Sequence, residues 1–247
     1  MSIQDAANLA LLVIALGLGA AVLLPRRRGD HRSWGIRPDR GTPGRYLLGV
    51  GLAALAIAAP FVVLLLTGVT DVRGGEPQAG EIVAIAVYFV VLAGVEELVF
   101  RGLLLNGVIE LTGRPVVAVP LVALAVAVPY LFADGVTPLS FVSAVLAGIM
   151  YGVAFLITTS VWTAAGMRAS WNLTLGPVLG FEVSGQSLVD HPVLEQTLDG
   201  ARWVTGGAYG PEGGLVVVLA RVLLISGLLW WGAQAAARHG DRLPSRG

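Results

Sequence analysis

The chain is 247 residues long, 55% of its residues are hydrophobic, only 13% are charged, and its formal net charge is zero. A soluble domain carries about 25% charged residues, so this composition excludes a soluble globular protein and indicates an integral membrane protein. A zero net charge argues against a general attraction to nucleic acid, and the absence of cysteine from the sequence excludes disulfides, thiolate metal sites and cysteine nucleophiles.

The sequence contains seven apolar segments that approach the length of about 20 residues needed to cross a hydrocarbon core about 30 Å thick. They cover residues 3–24, 46–69, 81–105, 116–132, 139–157, 161–181 and 215–236. No basic residue precedes the first segment, so we interpret it as a transmembrane helix rather than a cleavable signal peptide. We therefore predict an all-α fold, a polytopic transmembrane helix bundle of about seven spans in the cell membrane, with the lipid bilayer as its immediate partner.

The distribution of arginine predicts the orientation of the bundle. The stretch after the first segment is the most basic part of the chain and contains Arg26, Arg27, Arg28, Arg32, Arg37, Arg40 and Arg45. Loops rich in basic residues stay in the cytoplasm, so we expect the N-terminus outside and the C-terminus inside. Arg114 and the arginines of the tail then also lie inside.

The same pattern divides the chain into three parts. Residues 1–45 hold the first helix and a basic cytoplasmic linker, residues 46–237 form the transmembrane bundle, and residues 238–247 form a polar cytoplasmic tail. Two longer outer loops cover residues 71–80 and 182–214, and Asp134 is interpreted as a loop or helix-end residue. Gly148 and Gly152 form a small-xxx-small pair, which predicts a close helix contact in the fifth span.

The third segment carries two adjacent acids, Glu96 and Glu97, and a base, Arg101, among apolar residues. A carboxylate at bilayer depth costs about 2.5–3.5 kcal/mol even on the gentler insertion scales, so these residues indicate a functional site. Residues four apart share a helix face, and Glu97 is therefore expected to pair with Arg101. Glu96 is rotated by about 100° and remains available for a partner on another helix or for proton chemistry. The alternative is a buried ion-pair cluster with no catalytic task.

The sixth segment provides a second polar face, because Arg168 and Asn172 are also four residues apart. Arg168 in mid-span requires an acidic partner, and Glu96 or Glu97 is the obvious candidate. Asn172 can donate its amide to a buried carboxylate or to an oxyanion, or it can form a purely structural hydrogen bond.

These stretches together resemble the CPBP family of intramembrane proteases, which includes CAAX prenyl proteases and bacteriocin-processing (Abi-type) enzymes. The family's Glu-Glu-x-x-x-Arg motif is matched by GVEELVFRGLLL, its Trp-Asn helix by VWTAAGMRASWNLTLG, and its C-terminal continuation by SGQSL and TGGAYGPEGGL. The resemblance covers residues 81–219, the core of the predicted bundle. It implies that Glu96 is the base that activates a water, that Glu97 and Arg101 support it, and that Asn172 stabilises an oxyanion.

The sequence departs from this family at both of its histidines. Val136 stands four residues after Phe132, where the Phe-x-x-x-His motif has histidine, and Arg168 stands four residues before Asn172, where the second histidine is expected. The histidines of the chain are His31, His191 and His239, all in predicted loops or the tail. Arginine offers no lone pair, so the zinc or other divalent metal expected for the family lacks its ligands. We therefore expect no metal and no other cofactor, with Arg168 acting as a fixed charge partner.

Two functions of different class remain open at this point. The first is a CPBP-type intramembrane endopeptidase with a degenerate active site, which would hydrolyse a membrane peptide or prenylated peptide through Glu-activated water. The second is a non-catalytic membrane scaffold or binding protein that uses the same intramembrane cavity. A proton-coupled transporter has less support, because the sequence shows no inverted repeat. Space for water beside Glu96 favours the enzyme, and a closed ion pair favours the scaffold.

Overall fold

The computed structural model describes residues 34–240, with side chains as far as Arg238. The α-helices are α1 (Thr42–Leu66), α2 (Ala79–Glu97), α3 (Asn106–Thr112), α4 (Pro115–Ala127), α5 (Pro138–Thr158), α6 (Val161–Leu173), α7 (Arg202–Thr205) and α8 (Leu215–Gly240). These residues also form two strands, β1 (Thr70–Gly74) and β2 (Leu194–Leu198), and short π-helices and 3-10 helices. The first predicted span, the arginines at positions 26, 27, 28 and 32, and the end of the tail lie outside the described residues.

Within residues 34–240, five helical stretches are long and apolar enough to cross a membrane. They are Thr42–Leu66, Ala79–Thr112, Pro115–Phe132, Pro138–Thr158 and Leu215–Arg238. These stretches correspond to the second, third, fourth, fifth and seventh predicted segments. The five spans confirm the prediction of an all-α, multi-pass membrane protein. Helices are suited to such spans because a helix satisfies every backbone polar group internally in lipid.

The sixth predicted segment forms a short central helix instead of an apolar span. Helix α6 is buried along almost its whole length and contacts α1, α2 and α5. It continues as a π-helix over Thr174–Val178, where Pro177 provides no amide hydrogen. The chain then turns at Gly180, which has a φ of +72°, so helical structure ends before the predicted limit at residue 181. Because α6 is surrounded by protein rather than by lipid, its polar side chains can find partners on neighbouring helices.

Glycines bring α6 and α1 into direct backbone contact. A Cβ atom added at Gly49 would overlap the carbonyl oxygen of Thr163, and one added at Gly166 would overlap the carbonyl oxygen of Tyr46. The predicted close contact at Gly148 and Gly152 is also present, against Ala123 and Val119 of α4. Small residues of this kind allow helix backbones to approach closely in a membrane.

One end of the bundle is covered by a small ribbon that the sequence did not indicate. Strand β1 pairs antiparallel with β2, with Thr70 opposite Leu198 and Gly74 opposite Leu194. The loop from 182 to 214, which includes α7, packs over the same end. We call this the ribbon end of the bundle.

Candidate active site

The two glutamates lie where α2 changes its helical geometry. Glu97 is the last residue of α2, and Leu98–Leu105 form a π-helix before α3 begins at Asn106. The wider turn of a π-helix appears mostly as a local feature of longer helices and often at functional sites. Here it lies next to the diglutamate pair in the middle of a 34-residue helical stretch.

Glu97 is the centre of a buried ion-pair cluster. Its Oε1 atom accepts from Arg101 Nη1 at 3.0 Å and from Arg168 Nε at 2.6 Å. The Glu97 side chain is 0% exposed and the Arg101 side chain 1% exposed. The predicted intrahelical pair is therefore present, and the guanidinium from α6 joins it.

Aromatic rings and a backbone carbonyl complete the surroundings of the two guanidiniums. Arg101 Nη2 donates to the carbonyl oxygen of Gly148 at 2.8 Å. The Tyr151 ring lies 4.8 Å from the Arg168 guanidinium carbon and 5.5 Å from that of Arg101, and Phe100 lies within 6 Å of both. Cation–π contacts of this kind stabilise a desolvated guanidinium, so they help to offset the burial of the two positive charges.

Glu96 is in a different environment from its neighbour. Its Oε2 atom is 3.3 Å from Arg168 Nη1, and its side chain is 14% exposed. The exposed part faces a cavity of about 100 Å³, whereas one buried water needs only about 10–15 Å³ by this measure. Glu96 therefore combines an ion pair with space for several waters.

The cavity extends from Glu96 towards the ribbon end and has a mixed lining. Asn172 lines it, and within the described part of the chain its amide makes no hydrogen bond. The predicted common face of Arg168 and Asn172 is present, since both side chains reach this cavity. The other lining residues include Tyr88, Val126, Tyr130, Ala147, Tyr151, Trp171, Ser184, Gln186, Tyr209, Glu212 and Arg221.

A second buried ion pair, Glu212 with Arg221, lies at the ribbon end of this cavity. Sequence reasoning did not identify it, because nine residues and a change of element separate the two side chains. Tyr209 lies in the same loop, and burial raises the pKa of its hydroxyl above the ordinary value. The phenol is therefore uncharged at any physiological pH.

The sequence profile of one protein family matches this part of the chain. The family is described as type II CAAX prenyl endopeptidase, Rce1-like, and the match covers residues 78–174. Over these residues the chain is similar to that family. The match includes the whole ion-pair cluster and Asn172, and it confirms the resemblance found in the sequence. Neither a curated protein nor a solved structure matches the chain.

Val136, which stands where the family motif has its first histidine, does not line the cavity. Phe132 is 86% exposed at the end of a short 3-10 helix, and Val136 lies beyond it in the turn before α5, 37% exposed and away from the cavity lining. The chain has already left the bundle interior at this point. Tyr130, two residues before Phe132, lines the cavity and is the residue of this segment that faces Arg168 and Glu96.

The donor atoms at the site do not fit the metal that the family implies. Zinc sites use neutral imidazole, thiolate and carboxylate ligands, and the carboxylates here are both within contact of Arg168. Among residues 34–240 no three His, Cys, Asp or Glu side chains converge in a metal-binding arrangement. A fixed guanidinium beside both acids opposes a divalent cation electrostatically.

Proposed function

We propose that the protein is a CAAX-type intramembrane endopeptidase in which Glu96 activates water without a bound metal. The family match supports endopeptidase chemistry at the level of the family. The observation that carries the proposal for this chain is that Glu96, and not Glu97, faces a cavity with room for several waters.

The reaction uses three side chains at one end of the cavity. The Glu96 carboxylate accepts a proton from water while the water oxygen attacks the carbonyl carbon of a peptide. The Asn172 amide, which makes no hydrogen bond to the described residues, and the Arg168 guanidinium stabilise the resulting oxyanion. The proton then passes from Glu96 to the amide nitrogen as the C–N bond breaks, which releases a new carboxylate and a new amine.

Glu97 and Arg101 have a supporting role in this proposal. Glu97 accepts from two guanidiniums and is not among the residues that line the cavity, so it orients Arg168 rather than reacting. Arg168 takes the place of an imidazole as a fixed positive charge. Because arginine stays protonated, it can stabilise an anion but cannot shuttle the proton, and Glu96 alone performs the proton transfers.

The substrate class follows from the location of the site. The cavity lies among helices that are apolar enough to span a membrane, so its substrate is a peptide segment that enters from the bilayer, such as a membrane peptide or prenylated peptide. A non-catalytic protein that binds such a segment is the second candidate. It is favoured by the charge-balanced cluster of Glu96 and Glu97 with Arg101 and Arg168.

Peptide hydrolysis by purified protein in detergent or liposomes distinguishes the two candidates. A panel of prenylated and unprenylated membrane peptides is incubated with the native chain, Glu96→Gln and the control Glu110→Gln, which alters an exposed carboxylate on α3 away from the cavity. We expect hydrolysis by the native and control proteins and a loss of at least about 100-fold in Glu96→Gln. Peptide binding without cleavage, unchanged by Glu96→Gln, would establish the non-catalytic candidate instead.

A further inference from the structure

We propose that Glu212 and Arg221 are positioning residues for Asn172, acting through the indole ring of Trp171. This ion pair lies outside the region matched by the family profile. The effect on catalysis rests on the function proposed above, whereas the effect on the geometry of Asn172 does not.

Both oxygens of the Glu212 carboxylate accept hydrogen bonds, from donors on α6, on α8 and in the loop between them. Its Oε1 atom accepts from Trp171 Nε1 at 2.8 Å and from Arg221 Nη2. Its Oε2 atom accepts from the backbone amide of Ser184 at 2.8 Å and from the Ser184 hydroxyl at 2.9 Å. Four donors compensate the burial of this charge, since a buried carboxylate is tolerated only when it is paired and hydrogen-bonded.

Arg221 holds the same indole from another direction. Its guanidinium carbon lies 4.4 Å from the centre of the Trp171 ring, within the range of a cation–π contact. Its Nη1 atom donates to the carbonyl oxygen of Ser143 on α5 at 2.8 Å. Trp171 is therefore fixed at its edge by Glu212 and on its face by Arg221.

Glu212 is buried although it lies in a glycine-rich loop. Gly206 and Gly210 have positive φ angles of +79° and +84°, and a Cβ atom on either would overlap a backbone carbonyl. A Cβ at Gly214 would overlap the carbonyl oxygen of Val204. These contacts explain the TGGAYGPEGG stretch, because only glycine allows the loop to pack backbone against backbone around a buried acid.

The position of Trp171 in the chain connects the Glu212–Arg221 pair to the site. Asn172 is the next residue of α6, and two residues later the helix changes to π geometry. Asn172 has no hydrogen bond of its own among the described residues, so the rotation of α6 determines which part of the cavity its amide reaches. The contacts of Glu212 and Arg221 with the Trp171 ring fix that rotation.

A double-mutant cycle on peptide hydrolysis tests the catalytic consequence. Glu212→Gln should lower kcat by about 10–100-fold with KM nearly unchanged, because a small displacement of an oxyanion donor is sufficient for such a loss. In an Asn172→Ala background, Glu212→Gln should cause no further loss. An equal loss in both backgrounds would overturn the proposal. Trp171→Phe, which removes only the indole N–H donor, is used in the same way if Glu212→Gln does not fold.

Thiol labelling tests the positioning itself and does not need activity. The chain has no cysteine, so Asn172→Cys can be labelled by a small methanethiosulfonate reagent without background. Adding Glu212→Gln should change the labelling rate at position 172 severalfold and leave the rate of Ala147→Cys, a matched cavity position on α5, unchanged. Equal rates at 172, or parallel changes at both positions, would overturn the proposal. Labelling that behaves as expected in a protein without hydrolysis would count against the proposed enzyme function alone.

Discussion

Neighbouring glutamates in one helix have separate tasks because one is enclosed and the other faces a cavity. Glu97 is the common acceptor for Arg101 and Arg168, whereas Glu96 meets only Arg168, at 3.3 Å. We expect Glu97→Gln to lower the free energy of unfolding by about 3–5 kcal/mol, since it leaves buried guanidiniums without their shared partner. Glu96→Gln should be clearly milder. Thermal unfolding in detergent compares the two, and an equal loss would contradict this division of tasks.

Arg168 provides a second test at the level of single residues. Arg168→Ala leaves Glu96 and Glu97 with a single guanidinium and should cost about 3–5 kcal/mol. Asn172→Ala removes an amide that has no partner among the described residues and should cost about 1 kcal/mol or less. The double variant Glu96→Gln with Arg168→Met leaves the one-to-one pair of Glu97 and Arg101, so it should recover much of the loss. Strictly additive losses in the double variant would show that Glu96 and Arg168 do not interact.

The donor set at the site leads to a prediction about metal content. Because the two acids are held by guanidiniums and no imidazole from the described residues lines the cavity, purified protein should contain no stoichiometric zinc or other divalent metal. Elemental analysis of protein purified without chelator measures this directly. About one metal per chain that disappears in Glu96→Gln would refute the charge-partner role of Arg168.

At the scale of the elements, the contact between α1 and α6 depends on the absence of side chains. Gly49→Ala places a methyl group against the Thr163 carbonyl and should destabilise the protein by about 1–3 kcal/mol. Gly51→Ala on the same helix meets open space and should be neutral or slightly stabilising, because alanine favours a helix over glycine by about 1 kcal/mol. Unfolding midpoints of the two variants in one detergent compare them. Equal midpoints would mean that α1 shifts to accommodate the methyl group.

The elements also show which features a sequence pattern can predict. The five spanning helices follow from continuous apolar runs, because a bilayer requires them. The pairing of Glu97 with Arg101 follows from helical spacing, even though π geometry begins between them. Periodicity did not predict β1 and β2, since TDVRG and LEQTL are short and mostly polar.

Features that depend on tertiary structure were not predictable in this way. Glu212 looks like a solvent-exposed acid in a glycine-rich loop, and only the folded chain shows it beneath Trp171 and Arg221. The position of Val136 outside the cavity lining was not predictable for a similar reason, because spacing along the chain does not show where a helix ends. The requirement that a buried charge has a partner predicted Glu96 or Glu97 beside Arg168, and the structure shows that Arg168 contacts both.

At the scale of the whole molecule, orientation in the membrane remains a prediction from the arginine distribution. It places the ribbon end outside and the turn between α3 and α4 inside. In intact cells, a membrane-impermeant thiol reagent should label Asp199→Cys at the ribbon end. It should label Thr112→Cys only after permeabilisation. The native chain, which has no cysteine, is the control for both, and the reverse labelling pattern would contradict the orientation.

The paired side chains around the cavity have one more consequence for a protein in an energised membrane. Within the described residues, Glu96, Glu97 and Glu212 are matched in number by Arg101, Arg168 and Arg221. A voltage of 100 mV does work of about 2.3 kcal/mol on each elementary charge that crosses the membrane. For a rigid group whose charges sum to zero, these contributions cancel. The cell's resting voltage therefore exerts no net force on this group of side chains as a whole.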